Sequence, residues 1–124
     1  MAWNLFSDRP IFLQIMEKIK VDIVSGKYQP GQKIPSVREL ASEAAVNPNT
    51  MQKALTELER ENLVFSQRTS GRFITEDEQM IQVLRMEMAR EKVTDFLASM
   101  RELGFEKEDI VCMMADEEQE EQHE

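Results

Sequence analysis

The 124-residue chain has one cysteine, Cys112, one histidine, His123, and only four glycines. A single thiol excludes an intrachain disulfide and suits a reducing compartment. Cys112 is expected to be a buried bystander in the IVCMM cluster, in preference to a redox group. No Cys/His pair, metal cluster, phosphate-cradling glycine loop or carboxylate pair marks a catalytic centre, so neither an enzyme nor a bound cofactor is expected. His123 stands among carboxylates without the further ligands a metal site needs. No apolar run approaches the ~18 residues of a membrane span, and the opening MAWNLFSDRP lacks the basic flank and apolar stretch of a signal peptide. The expectation is a cytoplasmic protein with no membrane partner. Its length fits one domain plus a modest appendage and is too short to add a large sensing or catalytic domain. With 41% apolar residues there is enough material for a core.

The chain also lacks an excess of positive charge, its formal net charge being −9. That balance is uneven along the sequence. Residues 1–77 carry 10 Lys and Arg against 10 Asp and Glu, whereas residues 78–124 carry 5 against 14. The acidity therefore belongs to the tail. A neutral half can still bind phosphates if its bases share one face, although its nonspecific affinity would be weak and salt-sensitive.

What the sequence does contain is a run of local signals from Pro10 to Thr75. Pro10 opens a first helix, with Asp8 as its cap, and Ile11, Ile15, Ile19 and Ile23 give it one apolar stripe. Gly26 closes that helix and Pro30-Gly31 turns the chain. Ser36 and Glu39 have the S-x-x-E spacing of a capping box, so a second helix starts there, with Val37, Leu40, Ala41 and Ala44 on its buried side. Asn47 caps a third, with Pro48 at its first position. At ~100° per residue from Met51, Leu55 and Leu58 stay close to Met51, while Asn49, Gln52, Lys53, Thr56 and Arg60 fall on the opposite arc. That arc is polar and almost free of acids, and amides and lysine suit base edges and phosphates. By itself it would be an ordinary solvated helix face; the capped turn before it and the hairpin after it favour nucleic acid.

Two β-prone runs follow, Leu63 to Arg68 and Arg72 to Thr75, with Thr69, Ser70 and Gly71 between them. Val64, Phe65, Phe73 and Ile74 are expected to anchor this hairpin on the core, and Gly71 permits the conformation of its tip. Arg68 and Arg72 flank the tip, as phosphate or minor-groove contacts or as simple surface arginines. The order is that of a winged helix-turn-helix, mainly α with a small β wing, whose recognition helix suits a DNA major groove.

From Glu78 to Leu103 there is neither Gly nor Pro and the pattern is helical. Ile81, Leu84 and Met88 make one apolar patch; Val93, Phe96, Leu97, Met100 and Leu103 make another, rotated around the helix. A stripe this broad is hard to bury in one small domain, so these residues are expected to meet a second copy of the chain. Gly104 ends the helix, and Phe105 to Met114 indicate a short last one. Its methionines suit core or dimer packing, with an apolar ligand as the alternative. From Asp116 onward six of nine residues are acidic and disorder is expected. The resulting division is a winged domain over 1–77, a two-helix dimerisation tail over 78–115 and a disordered end over 116–124.

The run from Pro10 to Asp77 resembles the DNA-binding domain of the GntR family of bacterial transcription regulators. It is carried by PIFLQIMEKIKVDIVSGKYQPGQKIPSVRELA, then VNPNTMQKALTELERENLV, then the SGRF of the wing. The short helical tail is similar to that of the YtrA-like branch, where two helices serve dimerisation. The resemblance implies DNA contacts from Arg38 at the start of the second helix, from Asn47, Pro48, Asn49 and Thr50 at the recognition-helix N-terminus, and from Gln52 and Lys53 one turn on. It also matches Gly71 to the wing glycine. Several relatives carry arginines where this chain has Pro48 and Gln52, so the preferred base sequence does not transfer. The large effector-binding and aminotransferase-like domains of other branches are not expected here. The function so implied is a homodimeric regulator, a repressor in preference to an activator, on a double-stranded inverted-repeat operator; a small-molecule effector between tail and winged domain is a speculative addition. The alternative is a winged module without specific DNA binding, whose acidic tail docks a protein partner.

Overall fold

Isoleucines repeating every fourth residue turn one stripe of a helix toward the interior, and the first helix, α1 (Ile11–Val24), follows this rule with Ile15, Ile19 and Ile23 buried. The computed structural model describes residues 3–122, with side chains through residue 118. The start of α1 departs from expectation. Pro10 takes the cap position itself without any side-chain cap, and Asp8 lies 3.9 Å from Arg9 instead. The fastening comes from buried Gln14. Its Oε1 accepts the Phe6 N–H at 2.7 Å, and its Nε2 donates to the carbonyls of Phe6 and Arg9 at 2.6 and 3.0 Å. An amide buried without partners would cost ~1–3 kcal/mol, so these three bonds hold residues 6–9 to the helix.

The second helix, α2 (Val37–Ala44), opens on the expected capping box, in which the Ser36 hydroxyl accepts from the Glu39 N–H and the Glu39 carboxylate accepts from the Ser36 N–H, both at 3.2 Å. It stops at Ala45, whose φ of 60° is left-handed and lets the Ala45 and Val46 N–H groups donate to the Ser42 and Ala41 carbonyls. The third helix, α3 (Pro48–Arg60), begins at Asn47, whose side-chain oxygen accepts the Asn49 N–H at 2.7 Å. Small buried residues, Ala41 and Ala44 on α2 and Ala54 on α3, let the two helices pack closely.

The hairpin pairs β1 (Val64–Gln67) with β2 (Gly71–Ile74), antiparallel, with Val64 opposite Ile74 and Ser66 opposite Arg72. Gly71 therefore belongs to the second strand and not to the tip. Strand alternation sends Val64 and Ile74 into the core, while Phe65 and Phe73, on the other face, stack at 5.7 Å and stay half-buried. The expectation that all four anchor the core is corrected to two. Lys33 makes an isolated bridge to Phe73, and the Ile34 and Ile74 N–H groups bond Arg72 and Gln32 carbonyls at 3.0 and 2.9 Å, which covers the outer edge of β2.

Two further helices follow, α4 (Glu78–Glu102) and α5 (Lys107–Gln122). The chain divides into two compact units, Met1–Leu84 and Arg85–Glu124. The division falls beyond the expected boundary at Asp77 because Ile81 is buried in the first core, with Met80 and Leu84 packed against it. Within the second unit, Gly104 (φ +92°) ends α4, with its own N–H donating to Arg101 and that of Phe105 to Met100. Asp109 then accepts the Glu106 N–H at 2.9 Å and opens α5. This helix continues through Asp116 to Gln122, where disorder was expected. Glu and Gln are good helix formers, and extending a helix costs far less than starting one. His123 lies outside the described residues. Cys112 is exposed, not buried; Ile110 is the inward residue, and two positions on is ~200° around the helix. No helix of the described residues is long and apolar enough to cross a membrane.

Candidate nucleic-acid interface

A helix can offer side chains to a groove only if its other face holds it down. On α3, Met51, Leu55 and Leu58 are fully buried, while Asn49, Gln52, Lys53, Thr56 and Arg60 are exposed, as are Asn47 and Pro48; Thr50 is half-buried. The structure thus brings together the recognition-helix residues expected from sequence. Their surroundings assign them different work. The Asn47 side-chain oxygen is taken by its cap, which leaves its amide NH2 to face outward. Gln52 donates to the Thr56 hydroxyl at 3.2 Å, one turn along the same face. Lys53 places its ammonium 4.0 Å from the ring centre of Phe12 on α1, a cation–π contact that orders a flexible side chain at the flank of the helix. Arg60 pairs with Glu57 at 3.0 Å.

Arg38 is exposed in the first turn of α2. It lines an open cleft of about 690 Å3 between the start of that helix and the wing tip, together with Lys33, Ser36, Thr69 and Ser70. Gly71 has φ +110°, and a Cβ built on it would stand 3.1 Å from Lys33 Cε, so the lysine stem lies directly against this glycine. Arg68 is exposed at the tip. Arg72, expected beside it as a DNA contact, is placed otherwise: its Nε donates to Glu59 of α3 and its side chain is only 19% exposed. Strand alternation turns Arg72 to the same side as Ser66, and Glu59 meets both.

The ion pairs give the neutral half its polarity. Of the ten Lys and Arg in residues 1–77, Arg9, Lys18, Lys20, Lys27, Arg60 and Arg72 have a carboxylate within 4.0 Å. Among the described residues, the four left without an ion pair are Lys33, Arg38, Lys53 and Arg68. They sit on the segment before α2, on α2, on α3 and at the wing tip. Lys33 and Glu59 were missed in the sequence. Lys33 offered one signal, a lone cation between the Pro30-Gly31 turn and the Ser36 cap, whereas Glu59 offered none apart from its place at the edge of the polar arc.

The residues expected to dimerise separate into two groups. Ile81 is buried in the core of the first unit, which withdraws it from the expected partner-facing set, while Leu84 packs against that core and stays half-buried. Met88, Leu97 and Met100 are half-buried, and Val93, Phe96 and Leu103 are 55%, 42% and 71% exposed. Within the second unit, Phe96 and Met100 face Ile110, Met113 and Met114 across an open apolar groove of about 480 Å3.

Residues 12–74 match the model of the bacterial regulatory proteins of the gntR family. The HTH-type transcriptional repressor YtrA of Bacillus subtilis (strain 168) is 37% identical over 84% of this chain and 81% of its own length. A GntR family transcriptional regulator from Listeria monocytogenes superposes with a TM-score of 0.84 at 37% identity, over 90% of this chain and 98% of that one. The AraR DNA-binding domain, solved in complex with operator ORX1, matches with a TM-score of 0.53 at 31% identity, over 60% of this chain and 93% of that one. With a capped helix-turn-helix, a two-stranded wing and these likenesses, the chain belongs to the GntR family of bacterial transcriptional regulators.

Proposed function

We propose that this chain represses transcription as a homodimer that binds an inverted-repeat operator through α3, Arg38 and the wing tip. The observation that carries the reading is the distribution of unpaired charge. Among the described residues of the winged unit, Lys33, Arg38, Lys53 and Arg68 are the Lys and Arg side chains without an ion pair; Lys53 stands on the exposed arc of α3, Lys33 and Arg38 line the cleft beside the wing, and Arg68 stands at the wing tip. Phosphate contacts from such cations supply affinity and register, while Asn49 and Gln52 have the amide geometry that reads adenine. YtrA's description as a repressor and the operator complex of AraR support the same role here.

Self-association is supported by the tail, which exposes the large apolar side chains of Val93, Phe96, Leu103, Met113 and Met114, a second copy being one way to cover them. A two-fold dimer presents two copies of α3, so the operator is a palindrome with half-sites about one helical turn apart. Selection of bound sites from random duplexes tests the reading, and recovery of no enriched or no two-fold sequence would refute it. With the selected duplex, Arg38→Ala and Lys53→Ala each weaken binding by about 1–3 kcal/mol in an anisotropy titration at fixed salt. Unchanged affinity would remove that residue from the interface.

A further inference from the structure

One carboxylate joins the wing to the helix beside it. Ser66 and Arg72 face each other across the hairpin, and both donate to the same oxygen of Glu59 on α3, Ser66 through its hydroxyl at 2.9 Å and Arg72 through Nε. The Arg72 and Glu59 side chains are 19% and 29% exposed, so water competes with this bond less than at an ordinary surface pair. A hairpin of two four-residue strands is marginal on its own. Its base is fixed by Leu63, Val64 and Ile74 in the core. Toward the tip, where Arg68, Thr69 and Ser70 turn in the open, the Ser66–Arg72 pair is where α3 next grips it.

We propose that Glu59 is a positioning residue. Through Ser66 and Arg72 it sets the angle at which α3 and the wing tip are presented together, and Arg72 acts as a brace instead of a phosphate ligand. A carboxylate on a DNA-facing helix would otherwise repel the backbone, and pairing with Arg72 removes that repulsion. The consequence for DNA rests on the operator-binding reading above; the brace itself does not.

The test uses the full chain in two arms. Without DNA, amide hydrogen exchange across residues 64–74 is at least about tenfold faster in Glu59→Gln and in Arg72→Gln than in wild type, while α1 and α3 amides are unchanged. Wing exchange equal to wild type in both variants overturns the brace whatever the DNA does. With a selected duplex, each variant binds about tenfold more weakly, the double variant is no weaker than either single one, and the dependence of log K on log salt keeps its wild-type slope. A slope smaller by about one in Arg72→Gln makes Arg72 a phosphate ligand and overturns the proposal, as does tighter binding by Glu59→Gln. If wild type discriminates no duplex, the operator reading falls and the exchange arm still decides the brace.

Discussion

The two units of this chain treat apolar side chains in opposite ways. In Met1–Leu84, sixteen buried apolar residues, from α1, α2, α3, the start of α4, the hairpin and the segments beside them, close on one another as a single cluster. In Arg85–Glu124, Ile110 is the one buried apolar residue among those described, and Phe96, Leu103, Val111, Met113 and Met114 are exposed. The first unit has the layers to satisfy its own apolar faces; two helices joined by a short turn do not. The winged unit therefore closes its own core, while the tail leaves the apolar surface on which the proposed self-association rests.

The most severe way to break this contrast is at the centre of the winged core. Leu55→Ala, at a fully buried site, lowers the stability of that unit by about 3 kcal/mol in urea denaturation followed through the fluorescence of Trp3, the single tryptophan, which packs against that core. A loss below about 1 kcal/mol would mean that the core is looser than its burial indicates. Next in size is the tail. Phe96→Asp weakens self-association by about 2 kcal/mol in sedimentation equilibrium and leaves the Trp3 transition where it was. A shifted transition with intact association would reverse the contrast. Removal of one cap has a smaller effect: Ser36→Ala destabilises the winged unit by about 1 kcal/mol, visible in the same denaturation curves. The smallest effect has the opposite sign. Ala45 is an L-residue held at φ 60°, so Ala45→Gly relieves strain and gains about 0.5 kcal/mol after the glycine's extra freedom in the unfolded chain is discounted.

The features legible in the sequence are those decided within a few residues. Ser36 with Glu39, and Asn47 with Pro48, form caps where they were expected because a cap satisfies the backbone of its own first turn. The apolar stripe of α1 and the exposed arc of α3 follow equally from periodicity. What stayed hidden depends on partners remote in sequence. Arg72 reads as a free cation until Glu59 is brought beside it, Lys53 until Phe12 is, and Gln14 gives no hint that it collects the backbone of Phe6 and Arg9. Ile81 looked like part of a partner-facing patch because a helical stripe does not say which protein molecule covers it. At Asp116 to Gln122 the acidic composition that suggests disorder is also one that can propagate a helix already started at Lys107.

The contact between Lys33 and Gly71 has a consequence for how this surface can change over time. Any side chain at position 71 would have to hold the strand at φ +110°, a conformation L residues rarely adopt, and its Cβ would push the flexible Lys33 stem aside by a few tenths of an ångström. Backbone strain is thus the first constraint on that position, and the lysine nearly forty residues earlier in the chain is the second.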